Sequence, residues 1–136
     1  MTVALCVCDA GGMMFNKRRQ SKDRRVIADL VALSGEREIV ITPFSEKLFS
    51  ECADKTRVLS DLSAPCAGSF VFCDDVAPSE LAFEISTLII YRWNRKYPAD
   101  KYMGICPERD GFSLVESVDF VGDSHEKITR EIWKKT

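Results

Sequence analysis

Apolar residues along this chain recur in two rhythms. TVALCVCD (residues 2–9) is a short, nearly continuous apolar run with β-branched residues, which predicts a strand buried on both faces. Residues 11–20 break that run, opened by the pair Gly11–Gly12, and read as a loop. The period then changes: Val26, Ile27, Leu30, Val31 and Leu33 recur at helical spacing, with Ser21 as the expected N-cap and Gly35 as the stop. REIVITPF (37–44) predicts a second strand and SEKLFSECA (45–53) a short helix.

TRVLSDL (56–62) predicts a third strand, SAPCAG (63–68) a turn, and SFVFCDD (69–75) a further apolar strand ending in two acids. APSELAFEIS (77–86) reads as a short helix or turn with Pro78 in its first turn. TLIIYRWN (87–94) is the most emphatic strand, and RKYPADKY after it is a loop. FSLVESVDF (112–120) alternates as a half-exposed strand does. SHEKITREIWKK (124–135) fits either period, because Ile128 and Ile132 suit both and Trp133 leans towards helix. Strands alternating with helical stretches predict an α/β sheet, largely parallel at first.

Composition narrows this to one domain over residues 1–136. The chain is 46% hydrophobic and 29% charged, enough to build an ordinary core without disulfides or metal. No stretch has a signal peptide's layout, and no apolar run reaches the roughly 18–20 residues needed to span a bilayer. The expected location is the cytoplasm. Six cysteines without a CxxC, beside the single His125, read as reduced packing thiols rather than as a metal site or disulfide framework.

The net charge of −2 hides one local excess. GGMMFNKRRQSKDRR (11–25) carries Lys17, Arg18, Arg19, Lys22, Arg24 and Arg25 against Asp23 alone. Guanidinium forks bind phosphate and carboxylate bidentately, so Arg18, Arg19 and Arg24 are candidate anion ligands, with Asn16, Gln20 and Ser21 as neutral donors. A helix N-terminus at Ser21 would add backbone donors. The alternative is a solvated loop, or one paired with acids such as Asp9, Asp119 and Asp123. Asp23, among cations, is expected to be ionised, which suits either a heterocycle's amidine edge or an intrachain ion pair.

Two further stretches carry polar chemistry. In YRWNRKYP (91–98), Tyr91 and Trp93 alternate with Arg92, as aromatic stacking on single-stranded nucleic acid or simply one strand face would require. The acidic overall balance speaks against nucleic acid. In GDSHEKIT (122–129), His125 and Glu126 could form an acid–base pair, but neighbours along a strand point to opposite faces.

The order of these parts resembles dihydrofolate reductase in a shortened form, over nearly the full chain. TVALCVCDAGGMMFN stands where that family has its first strand and methionine-bearing loop, SKDRRVIADLVAL where it has the helix with the pterin carboxylate, and REIVITPFSEKLF where it has the next strand and helix. SFVFCDDVAPSELAFEISTLIIYRWNRKYPADKYM is similar to the later strand–helix–strand segment, and GFSLVESVDFVGDSHEKITREIW to the closing antiparallel hairpin. The resemblance implies a mixed, mostly parallel sheet with a C-terminal antiparallel hairpin, flanked by short helices, and it makes residues 126–133 a strand. It makes Asp23 the candidate pterin carboxylate and sets Ser124 and His125 against the methionine loop.

The family's cofactor motifs are replaced. Thr42 and Pro43 stand where the family has Gly-Arg, and Asp74 and Asp75 where it has the Gly-Gly turn that approaches the nicotinamide cofactor. Two carboxylates there would repel a pyrophosphate. The segments FNKRRQS, YRWNRKYP and SHEKIT are also similar to short bacterial proteins labelled ribonuclease Z, a label that needs an HxHxDH zinc site this chain cannot supply with one histidine. The expectation is a domain that holds a small anionic or heterocyclic ligand, nucleotide- or pterin-like, without a cofactor or metal. Its candidate contacts are Asn16, Arg18, Arg19, Gln20, Ser21, Asp23, Arg24, Ser124 and His125. A divergent reductase or nucleotide hydrolase, or a module that neutralises a protein partner, are the alternatives.

Overall fold

A computed structural model describes residues 1–62, 68–81 and 84–136. The turn expected at 63–68 falls mostly outside these residues, as do Cys66 and part of the 77–86 segment.

Strand β1 (Thr2–Val7) lies at the centre of a seven-stranded sheet, between β6 (Phe70–Cys73) and β7 (Thr87–Arg92), and is parallel to both. The sheet order is β5 (Thr56–Val58), β4 (Ile39–Ile41), β6, β1, β7, β10 (Ile128–Lys135), β9 (Phe112–Phe120). The first five are parallel, and β10 and β9 close the sheet as an antiparallel pair. This is the mixed α/β sheet with a C-terminal antiparallel hairpin that the sequence predicts.

Both faces of β1 are buried, as its unbroken apolar run requires. Val3, Leu5 and Val7 point into one core layer with Val71, Cys73, Leu88 and Ile90. Ala4 points into the other with Phe70, Phe72, Ile89 and Tyr91. Helix α1 (Arg24–Ser34) covers this second face with Val26 and Leu30, and Phe49 packs edge-on to Phe72 beside them. Asp29 of the helix accepts from the Tyr91 hydroxyl (2.6 Å) and from Arg130 (2.9 Å), so polar bonds fix the helix over the sheet as well as apolar contact.

The first face is covered by a small three-stranded sheet of β3 (Arg18–Arg19), β2 (Gly12–Phe15) and β8 (Lys101–Tyr102). Residues 11–20 are therefore a hairpin, not the loop that the glycine pair suggested. Its two-residue turn is Asn16–Lys17, with φ of +52° and +61°, the left-handed pair that matches strand twist. Met13 and Met14 are thereby buried in the core while Phe15 is exposed. Gly12 is required for close approach: a side chain there would meet Ala99, Gln20 and Cys8.

Other boundaries also move. The helix expected at 45–53 is replaced by 3-10 turns at Pro43–Ser45 and Ser50–Lys55, and the described part of 77–86 has one at Pro78–Glu80. Strand β10 bears out the strand reading of the C-terminal segment, and α1 is the one α-helix among the described residues. No helix among them is long and apolar enough to cross a membrane.

Candidate functional site

The connection after β1 passes to one side of it, through α1 to β4, while β6 leads across β1 to β7. Open α/β sheets bind ligands in the crevice that such a reversal leaves at the carboxyl ends of the strands. Here that crevice is walled by Cys6, Phe72, Cys73 and Asp74 from the strands, Asp23, Val26 and Ile27 from the helix, and Met13, Arg19 and Ser21 from the hairpin segment. Its enclosed hollow measures about 20 Å³, room for about one water.

Arg19 closes it. Its guanidinium forks onto Asp74 at 2.6–3.2 Å and lies over the Phe44 ring, 5.0 Å from the centroid. Asp74 is 7% exposed and also accepts from the Ser45 hydroxyl at 2.8 Å. Asp75 accepts from Thr42 at 2.6 Å. The two carboxylates that end β6 are thus bound within the fold, and Asp74 is neutralised by the hairpin.

Asp23 is the second hub. It is the N-cap of α1, with φ of −154°, and accepts from the Arg25 amide at 2.9 Å. The helix starts two residues later than expected, with the buried carboxylate of Asp23 rather than Ser21 as its cap. The β9–β10 turn folds over the same carboxylate, which accepts from the amides of Asp123 (2.8 Å) and Ser124 (2.9 Å), the Ser124 hydroxyl (3.2 Å) and His125 Nδ1 (3.0 Å). Burial opposes its ionisation, but the bonds from Asp123, His125, Ser124 and Arg25 outweigh burial and hold the carboxyl well below the usual range. Gly122 makes the approach possible, because a side chain there would collide with Asp23 and Ile128.

His125 completes this cluster. Its ring stacks on Trp93 (4.5 Å, 22°), and its Nε2 faces the hydroxyls of Ser21 (2.9 Å) and Tyr97 (3.2 Å). The turn therefore latches onto residues 21–23, with a further bond from the Ser124 hydroxyl to the Lys22 carbonyl.

Outside Arg19 lies an open groove of about 560 Å³, lined by Lys17, Arg18, Arg19, Ser21, Lys22, Phe44 and Ser124. Among the described residues, Lys17, Arg18 and Lys22 have no acidic partner within ion-pair distance. Arg24, on the outer surface, pairs with Asp123 at 3.1 Å.

No protein-family model matches the chain, and no curated protein matches it by sequence. Among solved structures it superposes on a dihydrofolate reductase from Enterococcus faecalis complexed with NADP(H) and RAB-propyl, with a TM-score of 0.63. The match covers 100% of this chain and 96% of that one at 10% identity. The fold is that of dihydrofolate reductase.

Within this fold the expected site residues separate into groups. Ser21, Asp23, Ser124 and His125 converge in one cluster, with Asp23 and His125 buried, Ser21 half-buried and Ser124 exposed at its edge. Arg18 lines the groove beside Lys17 and Lys22, while Arg19, expected to grip an anion, is committed to Asp74. Arg24 does not line the groove and pairs instead with Asp123. Asn16 is in the hairpin turn, where its amide N–H donates to Asp100. Gln20 donates to Cys8 Sγ (3.3 Å) and the Pro98 carbonyl (3.2 Å). The acids named as alternative partners fare unevenly: Asp123 pairs with Arg24, and Asp119 with Lys127. Sequence reading missed Asp74, Ser45, Trp93 and Tyr97 as members of the site. A carboxylate ending a fully apolar strand was the available signal for Asp74, since burial there demands a cation.

Proposed function

We propose that this chain is a cytoplasmic binding module that uses the dihydrofolate reductase fold to hold a small anion with an apolar or heterocyclic body, without nicotinamide-dependent reduction. The observation that carries this reading is the groove of Lys17, Arg18 and Lys22, three cations without acidic partners among the described residues, beside the part-exposed Phe44 ring. Uncompensated cations around one concavity raise the local potential for an anion, and the ring offers a stacking surface. Asp75, at the end of β6 and held by the neutral Thr42 hydroxyl, speaks against a pyrophosphate at that strand end.

The test is thermal stabilisation by inorganic phosphate, nucleoside phosphates and pterin carboxylates at low and high salt. A ligand at a hundred times its Kd should add about 2.7 kcal/mol. The Arg18→Glu and Lys22→Glu variants, which break no ion pair, should fold normally and lose that stabilisation. A flat response across all three classes, or stabilisation that survives both reversals, would overturn the reading.

A further inference from the structure

The buried latch has the geometry of a nucleophile relay. Ser21 Oγ lies 2.9 Å from His125 Nε2, and His125 Nδ1 lies 3.0 Å from Asp23 Oδ2. An ionised carboxylate only accepts, so in the neutral imidazole Nδ1 carries the ring proton and Nε2 presents its lone pair to the serine hydroxyl. Exposure is graded in the sense that catalysis needs. The Asp23 and His125 side chains are 0% and 3% exposed, whereas Ser21 is half-buried and lines both the inner hollow and the cationic groove. Trp93, stacked on the imidazole, fixes the ring plane. The Lys22 amide, next in the chain after Ser21, has no acceptor among the described residues.

The geometry points to Ser21 as a nucleophile for hydrolysis of an anionic carboxylic ester, with His125 as its general base and Asp23 as the residue that positions the base. The substrate class rests on the anion-groove reading; the nucleophile assignment does not. Ser21 Oγ bonds the carbonyl carbon as its proton passes to His125 Nε2. The C–O bond to the leaving alcohol then breaks, and the alcohol departs with the proton from Nε2. Water repeats the sequence on the acyl-serine, releasing the acid and restoring Ser21. The free Lys22 amide and the neighbouring cations are the available stabilisers of the developing oxyanion.

The Tyr97 hydroxyl, 3.2 Å from Nε2, competes with Ser21 for the same lone pair. Its removal separates a relay from a static hydrogen-bond knot. The assay is covalent labelling of the full chain by a neutral alkyl fluorophosphonate, read by mass spectrometry. The serine oxygen bonds phosphorus, fluoride leaves, and His125 takes the proton.

Wild type should label once, at Ser21, at least about 100-fold faster than Ser21→Ala or His125→Gln, both checked for an intact melting transition. Tyr97→Phe should label at least as fast as wild type. Asp23→Asn should label slowly, with the midpoint of its rate–pH curve displaced to lower pH, a change that looser packing alone does not produce. Labelling at background rate in wild type, labelling elsewhere than Ser21, or its loss in Tyr97→Phe would each overturn the nucleophile. A pair of p-nitrophenyl esters, one neutral and one carrying a terminal carboxylate, then tests the substrate class. Faster turnover of the anionic ester that Lys22→Glu abolishes supports it. Equal turnover of the two removes the anion preference and leaves the labelled serine standing.

Discussion

Replacing Asp23 with alanine removes the acceptor on which the helix start and the β9–β10 turn both depend. Five donors lose this acceptor at once: the amides of Arg25, Asp123 and Ser124, His125 Nδ1, and the Ser124 hydroxyl, which keeps another, the Lys22 carbonyl. Loss of the helix cap costs about 1 kcal/mol. The two turn amides lie near solvent and can recruit water, so each adds about 1 kcal/mol, and the buried imidazole N–H adds about 1–3 kcal/mol. These losses share one site and do not simply add. The expected total is about 3–5 kcal/mol, as for breaking a buried hydrogen-bond network. In a domain of this size that lowers Tm by roughly 10–20 °C. Asparagine should be nearly as damaging, because either orientation of its amide turns an N–H₂ towards at least two of the donors.

Urea unfolding followed by tryptophan fluorescence reads this directly, since Trp93 stacks on His125 within the cluster. The pH dependence gives a second check. The folded carboxyl titrates below its unfolded value of about 3.9, so its contribution is complete above that pH. It declines as pH falls from there through the folded value, because the unfolded chain then binds the proton first. The part of the stability gap between wild type and Asp23→Asn that this carboxyl supplies should therefore shrink as pH falls below about 3.9. A cost under about 1 kcal/mol for alanine, or a gap that does not depend on acid, would mean that the carboxylate is not held as described.

Other outcomes follow from the same contacts. Gly122→Ala should destabilise by about 1–3 kcal/mol through overpacking against Asp23 and Ile128, measured by the same unfolding curve. Arg19→Ala leaves Asp74 with Ser45 alone and should cost about 2–4 kcal/mol; a double-mutant cycle with Asp74→Ala should show that most of this is shared by the pair. The Cys73 thiol, pushed up to about 12 by burial and by Asp75 and Asp74, should resist alkylation at pH 8 until the protein unfolds, whereas Cys106 should react in the native state. Titration with reduced nicotinamide dinucleotides should give no saturable fluorescence change, given the carboxylates at the end of β6.

How far the sequence speaks for itself depends on the range of the interaction. The alternation and length of apolar runs are local, and they placed β1, β6, β7 and β9 within a few residues because a strand buried on two faces has few other readings. The order of strands and helix was enough to suggest the dihydrofolate reductase fold. The hairpin at 11–20 was hidden because Asn16–Lys17 is an uncommon way to write a left-handed turn, and because its partner β8 lies almost ninety residues away. Ser21 and Asp23 are both good caps by residue type, and the choice went to Asp23 because the distant β9–β10 turn supplies it with donors. Which cation of the basic run stays free was likewise beyond the sequence: Arg18 and Arg19 are neighbours of one kind. Strand pleating sends Arg19 towards Asp74, fifty-five residues on, and leaves Arg18 facing the groove. Residue types set the repertoire of charges, caps and donors, but their pairing across long loops is a property of chain packing, and the Ser21–His125–Asp23 cluster exists only there.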